Sequence, residues 1–326
     1  MRPFWPMRAL WLREGVLTLV DAAEPSPPAG EATVRVLLAG VCNTDLELAR
    51  GYGAMDGILG HEFVGRVEAA PTAPDWIGRR VVGEINAVCG ACGACRAGRR
   101  NHCERRTVLG IRGRHGAFAE RLTLPVANLH AVPDGLPDDV AVFVEPLAAA
   151  LAVQERIHVG AGDRVLVIGD GKLGQLVAQT LALAPCALAV VGRHDSKLSL
   201  LAARGIRTID ARSGVLGNEP GADFVVECTG NEDGLALALR LVRPRGTVVL
   251  KSTYRGDARV NAAATVVDEI TLIGSRCGPF APALDLLARG AVNVRPLIHA
   301  RHALAEAAAV FDLAARPGVL KVLIEP

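Results

Sequence analysis

The chain has 326 residues, of which 50% are hydrophobic and 21% are charged, and its formal net charge is +2. This length and apolar content suffice for two domains, and the near-neutral charge argues against nucleic-acid binding. No apolar segment approaches the roughly 18 residues of a membrane span. The N-terminal residues also lack the apolar core of a signal peptide, so we expect a cytoplasmic protein without a membrane partner.

The N-terminal part of the chain is predicted to be a β domain. Two apolar segments flank Arg13-Glu14-Gly15, which is a β-hairpin signal. The predicted strands lie at 9–12, 16–20, 32–38, 63–68, 80–82 and 117–124. Short strands at this spacing are typical of a small barrel.

Three short segments carry side chains that can bind a metal ion. Cys42 and Thr44 lie in Gly-Val-Cys-Asn-Thr-Asp, and His61 and Glu62 lie in Gly-His-Glu. Glu145 lies in Glu-Pro-Leu-Ala and is a candidate for the same site or for a helix cap. A single cysteine is more often a small buried hydrophobe than a ligand. Sulfur, nitrogen and oxygen donors together, however, are typical of an open catalytic zinc site.

Half of the eight cysteines lie in one loop, as Cys89, Cys92, Cys95 and Cys103. Thiolates at C-x2-C-x2-C-x7-C spacing can converge on one tetrahedral ion, and closed all-sulfur sites select Zn²⁺. Adjacent C-x2-C pairs are poor disulfide partners, which disfavours the alternative of disulfide-bonded cysteines. Because a closed site holds structure without catalysing a reaction, the chemistry must lie at the other candidate residues.

Strand and helix patterns alternate in the second part of the chain. A long apolar helix is predicted over 140–158. The later strands are predicted at 164–168, 187–191, 224–228, 247–251, 270–273 and 320–324. The later helices are predicted at 172–183, 196–204, 235–242, 281–289 and 304–314. The alternation predicts a parallel, doubly wound sheet.

A glycine-rich turn follows the first strand of that sheet and opens a helix. It reads Gly169-Asp-Gly171-Lys172-Leu173-Gly174 and matches G-x-G-x-x-G in the context that predicts dinucleotide binding. Gly169 permits the tight turn, and Gly171 lets the backbone approach a pyrophosphate. Gly174 allows the helix to pack closely against the sheet.

The end of the next predicted strand bears on which nucleotide is bound. Sheets that bind NAD usually place an Asp or Glu there to hold the ribose 2′-hydroxyl. This chain has Gly192, Arg193 and His194 instead. A guanidinium can bind the 2′-phosphate of NADP, so the sequence favours NADP(H) over NAD(H). Binding of NAD(H) remains an alternative, because Asp195 could reach the ribose if the strand ends later.

Taken in order, these motifs resemble those of zinc-dependent medium-chain dehydrogenases/reductases, the superfamily of alcohol, sorbitol and threonine dehydrogenases. The resemblance covers nearly the whole chain. It implies an α/β fold in which a doubly wound parallel Rossmann sheet is inserted into a chaperonin-10-like β-barrel catalytic domain. The implied catalytic domain spans 1–144 plus 280–326, with a structural zinc lobe near 86–106, and the dinucleotide-binding domain spans 145–279.

The resemblance also implies roles for the candidate residues. The implied ligands of the catalytic zinc are Cys42, His61 and Glu145, with Glu62 able to exchange as a ligand. Thr44 matches the hydroxyl that relays the substrate proton, and Asp45 is expected to orient His61. Together with the four-cysteine lobe, this predicts two zinc ions per subunit.

The implied activity is hydride transfer between NADP(H), or NAD(H), and a small alcohol or polyol or its carbonyl counterpart, in a homodimer or homotetramer. Two alternatives are a non-catalytic member of the fold used for assembly or nucleotide-dependent interaction, and a zinc-independent quinone or enoyl reductase. The intact catalytic ligand set disfavours both. Asn43 and the short segment 51–60 depart from the family pattern, so the substrate stays unspecified.

Overall fold

The computed structural model describes residues 6–219, 221–253 and 257–326 of the chain. It divides into one unit of residues 1–145 and 280–326 and a second unit of residues 146–279. Residues 1–5, with which the predicted catalytic domain begins, lie outside the described residues. Within the described ranges, no helix has both the length and the apolar character that crossing a bilayer requires.

The first unit begins with the predicted hairpin and continues as short strands. In β1 the buried residues Met7 and Ala9 alternate with the exposed residues Pro6 and Arg8, as in a half-buried strand. Its elements up to residue 131 are β1 (Pro6–Arg13), β2 (Val16–Ala23), β3 (Glu31–Gly40), α1 (Asn43–Ala49), β4 (Gly57–Ile58), β5 (Glu62–Ala69), β6 (Arg80–Gly83), β7 (Asn86–Ala87), α2 (Gly93–Arg96), β8 (Thr107–Val108), β9 (Arg121–Pro125) and β10 (Leu129–Ala131).

The single long helix predicted over 140–158 is wrong. The chain forms two short helices, α3 (Asp138–Ala141) and α4 (Val144–Leu151), and then continues in turns. Pro146 explains the interruption, because proline lacks an N–H and disfavours helical backbone just before it, and so is tolerated only in the first turn of a helix. The second helix therefore begins close to Pro146, which brings Glu145 into its first turn.

The second unit contains the predicted parallel sheet with its helices, together with a strand at Arg207–Asp210 and a helix at Ala262–Val267 that were not predicted. Its elements are β11 (Arg164–Ile168), α5 (Lys172–Leu181), β12 (Ala187–Gly192), α6 (Asp195–Ala202), β13 (Arg207–Asp210), β14 (Ala222–Glu227), α7 (Glu232–Leu241), β15 (Val242–Leu250), α8 (Ala262–Val267) and β16 (Thr271–Gly274). The strand order is β13-β12-β11-β14-β15-β16, and all neighbouring pairs are parallel. The loops after β11 and β12 therefore leave the sheet at the same edge, where such folds bind ligands.

The C-terminal segment returns to the first unit. It consists of α9 (Phe280–Ala288), β17 (Ile298–Ala303), α10 (Ala307–Ala314) and β18 (Lys321–Glu325). Strand β18 lies between β17 and β3 in the seven-stranded sheet, whose order is β10-β6-β5-β3-β18-β17 with β9 also paired to β3. The predicted fold class, with a doubly wound parallel sheet inserted in sequence between the parts of a β domain, is confirmed.

Candidate active site

Three side chains of the first unit form a buried group of metal-binding donors. Cys42 lies between β3 and α1, and His61 directly precedes Glu62, the first residue of β5. Backbone pairing of Gly40 with Glu62 places the two segments side by side. The ligand atoms of Cys42, His61 and Glu62 all lie within 4.8 Å of one another. His61 and Glu62 are buried and Cys42 is partly buried, so these donors lie largely out of solvent.

Asp45, fully buried in the first turn of α1, organises this group. Its Oδ2 accepts the backbone N–H of Cys42 at 2.8 Å, and its Oδ1 accepts that of Gly60 at 3.3 Å. Oδ1 also lies 3.2 Å from Nδ1 of His61, at ion-pair distance but without the alignment of a full hydrogen bond. Because Nδ1 of His61 faces Asp45, Nε2 is the ring nitrogen left to bind a metal ion.

The electrostatics of the group fit a divalent cation. Burial alone would lower the pKa of His61, but the neighbouring Asp45 carboxylate and Cys42 sulfur raise this pKa well above its usual value. A proton on the imidazole thus offsets the negative charge of the group when no metal ion does so. Zn²⁺ would supply the same positive charge, and it selects sulfur, nitrogen and oxygen donors of this kind.

A buried lysine that the sequence analysis missed completes the surroundings of Glu62. Lys321 begins β18, and its ammonium forms an ion pair with Oε2 of Glu62. The same ammonium donates to the carbonyl of Val41 at 3.4 Å and lies 5.7 Å from the ring centre of Phe143. Burial would lower the pKa of Lys321, but the Glu62 carboxylate next to it raises this pKa, so the lysine stays charged. A charged residue in the apolar final strand was the available signal.

The two other residues predicted for this site differ in their positions. Oγ1 of Thr44 lies 3.8 Å from Sγ of Cys42, at hydrogen-bond distance for sulfur, and so beside the donor group. Glu145 is partly buried in the first turn of α4 and is not one of the three side chains that converge. The assignment of Glu145 as a zinc ligand stays a prediction.

The four cysteines of the loop come together, with ligand atoms within 4.8 Å of one another, at Cys89, Cys92, Cys95 and Cys103. Sγ of Cys103 lies 3.5 Å from Sγ of Cys89, and all four are free thiols. Backbone N–H groups, chiefly that of Ala91, lower the pKa of Cys89 to about 6, whereas burial raises the pKa of Cys95 to about 11. Four converging sulfurs, one of them readily ionised, fit a closed structural zinc site.

The glycine-rich turn has the geometry of a phosphate-binding turn. A Cβ on Gly174 would lie 1.9 Å from the carbonyl oxygen of Gly169, so only glycine permits this close approach of helix to turn. A Cβ on Gly171 would meet open space, which leaves room for a pyrophosphate against the backbone. Lys172 and Leu173 form the first turn of α5. The turn therefore fits the predicted nucleotide.

The residues predicted to select the nucleotide follow β12 at the same edge of the sheet. Gly192 ends β12, Arg193 and His194 form the connection, and Asp195 begins α6. Asp170 in the glycine-rich turn was not predicted as a site residue, and its carboxylate accepts the backbone N–H groups of Arg193 and His194. The phosphate-binding turn and the end of β12 are therefore directly linked.

The chain matches two protein families along most of its length. Residues 28–134 match the alcohol dehydrogenase GroES-like domain, and residues 173–289 match the zinc-binding dehydrogenase domain. A sorbitol dehydrogenase of Halalkalibacterium halodurans is 28% identical over 331 residues, which cover 96% of each chain.

Two solved structures share this architecture. A zinc-binding dehydrogenase from Sinorhizobium meliloti 1021 bound to NADP superposes with a TM-score of 0.91 at 30% identity, over 98% of this chain and 99% of the other. A short chain alcohol dehydrogenase from Escherichia coli CFT073 complexed with NADH gives a TM-score of 0.90 at 25% identity, with the same coverage. With its paired domains, its two donor groups and these relatives, the chain belongs to the zinc-type medium-chain dehydrogenases/reductases.

Proposed function

We propose that this protein is a zinc-dependent dehydrogenase that transfers hydride between NADP(H) and a small alcohol or polyol, or the corresponding carbonyl compound. Its family comprises oxidoreductases that act on such substrates with a nicotinamide nucleotide. The observation that carries the proposal is the buried convergence of Cys42, His61 and Glu62. A protein used only for assembly has no need of three largely buried metal-binding donors in addition to a structural zinc lobe.

The residues around this group have separate tasks in the proposed reaction. When bound there, Zn²⁺ would act as a Lewis acid on the substrate oxygen. Asp45 holds the Cys42 backbone and faces His61, so both donors keep one orientation. The Thr44 hydroxyl, beside Cys42, takes the proton of the alcohol and passes it towards solvent. Lys321 holds the Glu62 carboxylate in place through their ion pair.

The preference for NADP(H) is supported by the residues at the end of β12. The positions where an NAD-binding sheet would carry an acidic residue are occupied by Gly192, Arg193 and His194. The Arg193 side chain is exposed. Asp195 was the residue that could have held the ribose of NAD(H). It forms an ion pair with Arg212 at 2.8 Å instead. One solved relative holds NADP and another holds NADH, so the relatives do not decide between the two nucleotides. The preference is inferred from the residues of this chain.

Two further parts of the proposal concern zinc content and assembly. The two donor groups support two zinc ions per subunit. Among the residues that the structure describes, strand β16 is the last strand of the parallel sheet and pairs with β15 alone. Because an open sheet edge can pair with a second copy across a two-fold axis, it supports a homodimer, and two such dimers would form a homotetramer.

Replacing Cys42 by alanine tests the catalytic site, and replacing Cys186 by alanine is the matched control. Cys186 is a partly buried free thiol outside both donor groups. We expect wild-type protein and the Cys186 variant to contain two zinc ions by elemental mass spectrometry and to reduce a carbonyl from a panel of aldehydes, ketones and sugars. The Cys42 variant should contain one zinc ion and show no measurable reduction.

The outcomes separate the proposal from its alternatives. A single zinc ion in the wild-type protein, or full activity in the Cys42→Ala variant, would contradict it. One zinc ion without activity would favour the non-catalytic member of the fold. Activity that persists after removal of all exchangeable zinc would favour the quinone or enoyl reductase.

A further inference from the structure

A carboxylate in the phosphate-binding turn bridges the ends of two neighbouring strands. Asp170 follows β11, and Oδ2 of this residue accepts the backbone N–H of Arg193 at 2.7 Å and that of His194 at 2.8 Å. Its Oδ1 lies 3.0 Å from Nδ1 of the His194 ring. One side chain thus fixes both the path of the backbone after β12 and the orientation of an imidazole.

Asp170 is placed to hold these residues and not to touch the nucleotide itself. It is only 6% exposed, and both of its oxygens already have partners. Burial would raise its pKa, but the backbone and ring N–H groups of His194 lower it below the usual value, so the group is a carboxylate at neutral pH. A carboxylate that binds a ribose hydroxyl must be open to the nucleotide, whereas Asp170 is buried and holds Arg193 and His194.

Gly192 is matched to this carboxylate. A Cβ at position 192 would lie 2.5 Å from Oδ2 of Asp170, closer than two such atoms can approach. The carboxylate therefore occupies the space that a side chain at the end of β12 would fill. This explains both the glycine at that position and the absence of an acidic residue there.

The groups left for a ligand at the end of β12 are a guanidinium and one nitrogen of an imidazole. In the described part of the chain, the exposed Arg193 side chain forms no ion pair or hydrogen bond. The His194 side chain is 41% exposed, and its contact with Asp170 through Nδ1 directs Nε2 away from the carboxylate. The Arg193 guanidinium matches a phosphate monoester, with which it forms charge-assisted hydrogen bonds, and Nε2 of the next residue, His194, is a second polar group for the same ligand.

We propose that Asp170 is the positioning residue for nucleotide specificity: it sets Arg193 and His194 to bind the 2′-phosphate of NADP(H). This inference rests on the proposed use of NADP(H) and adds the residue that makes the preference possible. The carboxylate takes up the backbone N–H groups after β12, so the two side chains are left to recognise the phosphate.

Calorimetric titration of the zinc-loaded, full-length protein with 2′,5′-ADP and 5′-AMP tests the proposal, because the probes differ only in the 2′-phosphate. We expect wild-type protein to bind 2′,5′-ADP more tightly than 5′-AMP. Asp170→Ala should lower this ratio of affinities by about tenfold or more, the effect of losing one charge-assisted hydrogen bond. In an Arg193→Ala background, the same change should have a smaller effect.

Two further variants provide a second test and a control. Gly192→Ala should displace the carboxylate and reduce the ratio with Asp170 intact, which provides a second measurement if Asp170→Ala folds poorly. Asp163→Asn is the matched control, because Asp163 accepts the N–H of Gly160 at 2.7 Å near the opposite end of β11. It should leave both affinities unchanged.

Each remaining outcome counts against a particular step. If both Asp170→Ala and Gly192→Ala keep the wild-type ratio, Asp170 does not position the phosphate site, although NADP(H) use stands. If they weaken both probes equally, Asp170 only maintains the fold. If wild-type protein does not distinguish the probes, the proposed NADP(H) preference itself fails, and the role of Asp170 fails with it.

Discussion

Replacing Lys321 by methionine tests the ion pair that holds Glu62 within the metal-binding group. The two side chains are 2% and 1% exposed, so this pair lies entirely inside the first unit. Methionine keeps most of the length of the side chain but removes its charge. The Glu62 carboxylate would then remain buried without its cation.

The expected cost follows from that burial. Removing one partner of a buried ion pair costs about 3–5 kcal/mol, because the remaining charge stays out of water. The hydrogen bond from Lys321 to the carbonyl of Val41 is long, at 3.4 Å, and its loss adds at most about 1 kcal/mol. Since 1 kcal/mol shifts the melting temperature of a unit of 150–250 residues by about 2–4 °C, we expect a decrease on the order of 10 °C.

Thermal unfolding followed by circular dichroism, at neutral pH and equal zinc content, measures this effect. The set consists of wild-type protein, Lys321→Met, Glu62→Gln and the double variant. The double variant should melt above Lys321→Met, because the unpaired carboxylate is gone. A Lys321→Met protein that melts within about 2 °C of wild type, or effects that simply add, would refute the argument that this pair is electrostatically coupled.

Two further changes test the zinc lobe and the parallel sheet. Replacing Cys103, which is fully buried in the four-cysteine lobe, by serine should remove one zinc ion per subunit by elemental mass spectrometry; unchanged zinc content would contradict a four-sulfur site. Asp223 accepts the backbone N–H of Arg164 and pairs with Arg243, and these contacts hold its pKa below the usual value. A lowered folded-state pKa stabilises the fold above the unfolded pKa of about 4, and this stability is lost at lower pH. The melting temperatures of wild type and Asp223→Ala should therefore differ at neutral pH and converge below about pH 4, whereas a constant difference would contradict the pairing.

The fold could be predicted where local pattern and long-range structure agree. The alternation of apolar strands and helices after residue 160 reflects βαβ units, each of which buries its strand on both faces. The strand predicted at 187–191 is observed at Ala187–Gly192. Because each unit is made of neighbouring residues, its pattern is complete within a short segment of sequence.

The fold could not be predicted where neighbours in sequence do not decide the structure. The helix predicted over 140–158 is an exception, because Pro146, the local signal for its interruption, is present in the sequence. Strand β17, with the sequence Ile-His-Ala-Arg-His-Ala, was not predicted. Its alternating polar residues suit an edge strand, and its identity as a strand comes from pairing with β18.

The residues that bind ligands could be predicted from local motifs, whereas the residues that orient them could not. Cys42, His61 and the glycines lie in short motifs whose chemistry is visible in the sequence. Lys321 reaches Glu62 from 259 positions away, because β18 inserts beside β3. Asp170 reaches the end of β12 because parallel strands end at one edge. In both cases a buried charged side chain, whose partner is distant in sequence, fixes a residue that is predicted to bind zinc or the nucleotide. Isolated charges in apolar strands and tight turns of such chains are therefore the positions to examine for residues that orient a site.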